Sequence, residues 1–139
     1  MNLYVMDTDT VSLYQHGHPR VCAAVNAQAA GEVVITVMTI EEQLSGWYSE
    51  LRRARTPAKL AGIYQRMANT VRFYSSLPIL SFSEPAIAQY QSLQRQKINI
   101  GKSDLRIAAI ALEQNDTVVT RNTKDFQRVP GLRIENWTI

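Results

Sequence analysis

Residues Gly101 to Leu112 constrain this chain more than any other stretch. Leu105, Ala108, Ala109 and Leu112 recur at helical spacing, and Ile107 and Ala111 widen the stripe until only Arg106 is strongly polar. A helix apolar around most of its circumference has to be covered on several sides, so it belongs inside a layered fold. Gly101 and Ser103 are candidate caps, which puts Asp104 in the first turn. There the free N–H groups and the positive end of the helix dipole favour a carboxylate. Capping is enough to explain a lone Asp. A chemical role requires other acids that meet it in space.

The layers around that helix are legible in order. Leu3–Met6 is a short apolar run expected to form a buried strand, and it stops at Asp7-Thr8-Asp9-Thr10, a cluster that ends a strand and caps a helix. A weak helix is expected from about Val11, breaking at His16-Gly17-His18-Pro19. A second is expected from Arg20 to Ala30, with Gly31 at its C-terminal end. Val33–Thr36 is β-branched throughout and predicts a second buried strand. Thr39 is positioned to cap a helix from Ile40 to about Ala54, with Glu42 at capping-box spacing. Thr56-Pro57 restarts a helix to about Ser75, with Leu60, Ile63, Tyr64, Met67 and Val71 on its inward face. Pro78–Phe82 is a third strand, and Ser83 with Pro85 opens a helix to about Lys97. Thr117–Thr120 is a fourth strand, Arg121–Asp125 a polar loop, Pro130-Gly131 a turn and Leu132–Glu135 an edge strand.

Strands alternating with helices predict an α/β fold, a three-layer α/β/α sandwich around a mostly parallel central sheet. At 139 residues, with no repeat or linker, the chain is expected to be one domain, residues 1–139. No run approaches the ~18 apolar residues of a membrane span. The first six residues are too short for a signal peptide. Cys22 is alone, which fits a reducing compartment, so a cytoplasmic location and no membrane partner are expected. Of the 15 basic residues 11 are Arg, whose planar fork suits phosphate, and the net charge is +3. A polyanionic partner follows as an expectation.

In open parallel sheets, sites form beyond the carboxyl ends of the strands. Asp7 lies just past the first strand, Glu42 on the helix after the second and Asp104 at the start of the buried helix. The Arg121–Asp125 loop follows the fourth strand. Carboxylates within several ångström of each other repel, and a divalent cation relieves the conflict. Hard Mg²⁺ or Mn²⁺ prefers oxygen ligands and can orient a phosphate and activate water.

At this point the residues resemble a known family. Leu3–Thr10, Ile40–Gly46, Asp104–Ala109, Val118–Phe126 and the closing Val129–Leu132 with Glu135–Trp137 are similar, in that order, to the PIN-domain ribonucleases of the VapC toxin type. The resemblance spans nearly the whole chain. It implies a PIN-like fold and a metal-dependent endoribonuclease that leaves 5′-phosphate and 3′-hydroxyl ends and is silenced by a cognate antitoxin protein. It also implies a homodimer. It places Asp7, Glu42 and Asp104 as catalytic residues and as ligands of Mg²⁺, with Mn²⁺ as the alternative ion. Glu42 takes that role rather than Glu41 because it stands four residues before Gly46. A fourth acid is usual in the loop after the fourth strand; here Asn122 holds that position, with Asp125 three residues on. Asp9 stands where the family has Asn, and Thr8 and Thr120 are candidate supporting or phosphate contacts. Arg52, Arg53, Arg55 and Arg121 are candidate RNA contacts.

Other assignments compete with this one. Asp7–Val11 also resembles the first motif of haloacid-dehalogenase-like phosphatases, with Asp7 as nucleophile; those enzymes need a later Lys, for which Lys102 is the candidate, and a late acidic pair that Asp116 and Asp125 do not form. The third possibility is a non-catalytic RNA- or protein-binding domain, against which the three acids argue, since they repel a phosphate backbone. His16-Gly17-His18 reads as a solvated loop, Cys22 as core filling, and Trp47 and Tyr48 as packing residues rather than base-stacking ones.

Overall fold

A computed structural model describes residues 2–139. The elements run β1 (Tyr4–Met6), α1 (Thr8–Gln15), α2 (Pro19–Asn26), β2 (Val33–Thr36), α3 (Val37–Arg53), α4 (Pro57–Tyr74) and β3 (Ile79–Leu80). They continue as α5 (Glu84–Arg95), α6 (Lys102–Glu113), β4 (Thr117–Val119), α7 (Thr123–Phe126) and β5 (Arg133–Glu135). The five strands form one sheet in the order β3-β2-β1-β4-β5, and every pairing is parallel. The sheet is therefore wholly parallel where the sequence predicts mostly parallel.

The pleat sorts the core into two halves, because successive side chains point to opposite faces. Val5, Val34 and Val118 join the cluster built with α5 and α6. Met6, Val33, Ile35 and Val119 join the cluster built with α1, α2, Tyr74 and Trp137. Helices thus cover both faces, which is the three-layer sandwich expected. In α6, Leu105, Ile107, Ala108, Ala109, Ile110 and Ala111 are all buried. Each fully buried Ile or Leu there contributes about 1.5–3 kcal/mol. Ala108 has no exposed surface, so a bulky residue at that position would overpack the core at about 1–3 kcal/mol.

Several local expectations are corrected. The first helix starts at Thr8, with Asp7 as its cap, because the Asp7 side chain accepts from the Thr10 N–H at 2.9 Å. Helix α2 ends at Asn26, and Gly31 serves a turn at φ +83° before β2 instead of a helix end. Helix α3 starts at Val37, not Ile40, because Thr36 rather than Thr39 supplies the cap. Thr39 is interior, and Glu42 lies in the second turn, outside any capping box. On α4 the inward residues are Ile63, Thr70 and Tyr74, while Leu60, Tyr64 and Val71 are exposed. The third strand is only two residues long, and the expected Arg121–Asp125 loop contains the short helix α7. Among the described residues no helix is long and apolar enough to cross a membrane.

Candidate active site

The first parallel strand sets the site. Register pairs Met6 with Val119, so Asp7 and Thr120 leave the sheet side by side. Asp7 is 4% exposed. Its Oδ1 accepts from the Thr10 N–H, and its Oδ2 accepts from the Thr120 hydroxyl at 2.6 Å. The Asn122 N–H in turn donates to the Thr120 oxygen at 2.9 Å. Burial pushes the Asp7 carboxyl above its ordinary range, and the donors from Thr10 and Thr120 oppose that rise.

Asp7 lines an open cavity of about 650 Å³ together with Thr8, Asp9, Ser12, Glu42, Asp104, Arg121 and Asn122. The carboxyl edge of the sheet therefore gathers Asp7 from β1, Glu42 from α3 and Asp104 from α6. Asp104 makes no capping contact; Gly101 is the cap of α6 and offers no side chain. Its carboxyl is pushed up to about 6, first by burial, then by the charges of Asp7, Glu42 and Asp125, against a hydrogen bond from Asn122.

Two further acids flank the cavity. Asp9 is held by Arg121 in a two-pronged pair, Nε to Oδ2 at 2.6 Å and one NH to Oδ1 at 3.1 Å. Asp125 stands outside the lining and accepts from the Asn122 amide at 3.0 Å. Of the other sequence candidates, Thr8 lines the cavity and Thr120 lies beneath it. Arg52, Arg53 and Arg55 lie at the tip of the α3–α4 hairpin and are not among the cavity residues. Sequence reasoning missed Ser103 as a partner: its hydroxyl donates to Glu42 Oε1, as does that of Thr8 at 3.1 Å. Its place directly before Asp104 was the available signal. It also missed Ser12, one helical turn beyond Thr8.

Among the described residues no three acids converge tightly enough to be a finished cation cage. The physical reason is visible at Glu42, whose oxygen is turned toward the Thr8 and Ser103 hydroxyls. The donor chemistry still fits a hard divalent ion: the lining offers carboxylate, amide and hydroxyl oxygens, and like charges raise the proton affinity of Asp104.

A wholly parallel sheet with acids from three separate elements at its carboxyl edge defines an α/β domain of the acidic-cluster class. The chain belongs to the PIN domain family, which residues 4–132 match, and within it to the VapC type. The tRNA(fMet)-specific endonuclease VapC of Salmonella typhimurium is 32% identical over 107 residues, 74% of each protein. Ribonuclease VapC2 of Rickettsia felis is 41% identical over 69 residues, so that alignment spans 47% of this chain and 52% of that relative. The structure of VapBC2 from Rickettsia felis bound to a promoter DNA fragment matches at TM-score 0.76 and 27% identity, over 97% of this chain and 98% of that one.

Proposed function

We propose that this chain is the endoribonuclease toxin of a toxin–antitoxin pair, cutting RNA phosphodiester bonds with a divalent cation, Mg²⁺ or Mn²⁺. The observation that carries this is the meeting of Asp7, Glu42 and Asp104 around one open cavity. Those three carboxylates would hold the ion, with Asn122 supplying a neutral oxygen beside them. Bound there, such an ion orients a phosphate oxygen and lowers the pKa of a water.

The chain's own groups do the rest. Thr120 and the Thr10 N–H fix both oxygens of Asp7, so that carboxylate cannot rotate. Ser103 and Thr8 hold Glu42 in reserve at the cavity wall. Arg121 at the rim supplies a cation for an incoming phosphate when it leaves Asp9. The phosphatase alternative is not favoured, because Lys102 is exposed and lies outside the cavity lining. A binding-only domain is not favoured either, since unneutralised acids repel RNA.

Transfer RNA is the first substrate class to test, because the Salmonella typhimurium relative is named for it. The Rickettsia felis neighbour is a VapBC assembly, which supports an antitoxin partner for this chain. Exposed Tyr48, Leu60, Tyr64 and Val71 on the hairpin give a partner, antitoxin or second copy, apolar surface to close on. Action in the cytoplasm and homodimerisation complete the proposal. The test is cleavage of total RNA with Mg²⁺ or Mn²⁺, repeated with chelator and with Asp7→Asn. Loss in both controls, with the variant folded, is expected. A folded Asp7→Asn protein that cuts as fast as the wild type would reject the assignment.

A further inference from the structure

A second cavity, of about 470 Å³, lies beside the acid one and is walled by α1, α3 and α4. Thr8 and Ser12 line both, so the two spaces share a wall at the start of α1. The size falls within the range of small-ligand pockets, roughly 300–1,000 Å³.

Its chemistry differs from that of its neighbour. The lining includes Gln15, Gln43, Asn69 and Thr70 and contains no carboxylate. Its aromatic members are Trp47 and Tyr74, only 4% and 7% exposed, and the exposed imidazole of His16. Gln15 donates to the Thr70 hydroxyl at 3.3 Å, and the Tyr74 hydroxyl donates to the Gln43 carbonyl at 3.5 Å. A primary amide carries two donor hydrogens and an acceptor oxygen. Those contacts use the Gln15 nitrogen and the Gln43 oxygen, which leaves the Gln15 oxygen to accept and the Gln43 NH₂ to donate. One unused acceptor and one unused donor thus remain among the residues that line the cavity. Arg66, 60% exposed, stands 3.2 Å from Glu50, and the His16 imidazole, which also lines the cavity, holds the Ser12 carbonyl through Nδ1 at 2.7 Å.

An apolar peptide side chain would leave these amides unpaired, which is costly. A free phosphate would have to compete with Glu50 for Arg66 and with the Ser12 carbonyl for His16. An unstacked nucleobase offers what the cavity lacks: a donor and an acceptor on one edge and a flat face for the exposed His16 imidazole. We propose, building on the nuclease function above, that this cavity holds one unpaired base of the RNA adjoining the bond at the acid cavity, and that Gln15 and Gln43 read its edge. It is a specificity subsite.

The test separates base reading from cutting. Four labelled RNA hexamers, one of each base, are bound to the full chain in chelator, where no cleavage occurs. Without a cation the acids weaken all four equally, so the ratios stay readable. The wild type should prefer one base by about tenfold, the discrimination of one good two-point contact. Gln15→Leu and Gln43→Leu should flatten that preference to within about twofold. Gln43→Glu, the same shape with its donor removed, should do the same and guards against misfolding in the leucine variants. A wild type without preference, or a preference that survives all three substitutions, would overturn the subsite. If the surviving preference is accompanied by loss of antitoxin capture in the same variants, the cavity belongs to a polypeptide instead. Base preference without Mg²⁺-dependent cutting would reject the nuclease function and leave the subsite standing.

Discussion

The Thr120 hydroxyl donates to Asp7 Oδ2 across 2.6 Å, linking residues 113 positions apart. Both leave adjacent parallel strands, so the sheet register alone brings them together. Thr120→Val keeps the side chain's shape and removes the donor. The buried acceptor is then left short of a partner, and stability should fall by about 1–3 kcal/mol, read by chemical denaturation. Cation affinity should fall by about 10- to 100-fold, the usual effect of removing a group that orients a ligand. Thr120→Ser should recover most of both. Valine matching the wild type in both measurements would mean that Asp7 holds its pose without this hydrogen bond.

Asp104 makes the site pH-sensitive. Its carboxyl sits at about 6, raised by burial and then by Asp7, Glu42 and Asp125, against 3.8 when unperturbed. A raised acid binds its proton more tightly in the folded state. Its contribution is therefore fully present below the unfolded value and is lost as pH rises through the folded one. Metal-free wild type should lose melting temperature between pH 3.8 and about 6 relative to Asp104→Asn, which cannot ionise there. Mg²⁺ should restore the wild type at the higher pH and do little for the variant. A difference between the two proteins that is constant with pH would contradict the crowding of charge proposed here.

Arg121 and Asp9 form an exposed pair, with side chains 53% and 45% accessible. Pairs of that kind contribute about 0.2–1 kcal/mol, so Arg121→Gln should scarcely move the denaturation midpoint. Its cost should appear in RNA binding instead. The slope of log affinity against log salt should shrink by roughly one when one phosphate contact is removed. An unchanged slope would confine Arg121 to neutralising Asp9.

The fold was legible because its signals are local and repeated. Val33–Thr36 and the buried helix around Ala108 each announce their environment in a few residues, and Thr56-Pro57 and Ser83 mark helix starts that the structure keeps. Boundaries failed where two caps competed: Thr36 lies at a strand end and outbids Thr39, moving Glu42 from the first turn to the second. The inward face of α4 was misjudged because the helix packs on one narrow stripe, through Ile63, Thr70 and Tyr74, and leaves other apolar residues in water. The meeting of Asp7, Glu42 and Asp104 followed from parallel topology. The contacts of Thr120 and Ser103 did not, since hydroxyl partners are set by register and rotamer rather than by spacing. Gln15, Gln43 and Thr70 carry no sequence signal at all: polar residues on helix faces read as solvent-facing until packing shows the cavity between them.

Arg106 gives a last separation of forces. It sits on the buried helix two residues beyond Asp104, and its guanidinium carbon lies 5.3 Å from the Tyr90 ring centre and 5.7 Å from that of Phe82. One NH reaches Glu41, the neighbour of Glu42, at 3.9 Å, and the Nε is buried without a partner among the described residues. The Glu41 carboxylate is 65% exposed, so Glu41→Gln should cost no more than about 1 kcal/mol. Arg106→Gln removes the charge over both rings and the packing of the stem, and a desolvated cation over an aromatic ring is worth up to about 2 kcal/mol. The larger loss should therefore follow Arg106 rather than its ion-pair partner, with both measured by denaturant titration. Equal losses for the two variants, with no extra loss in the double variant, would show the ion pair to be the whole of Arg106's contribution.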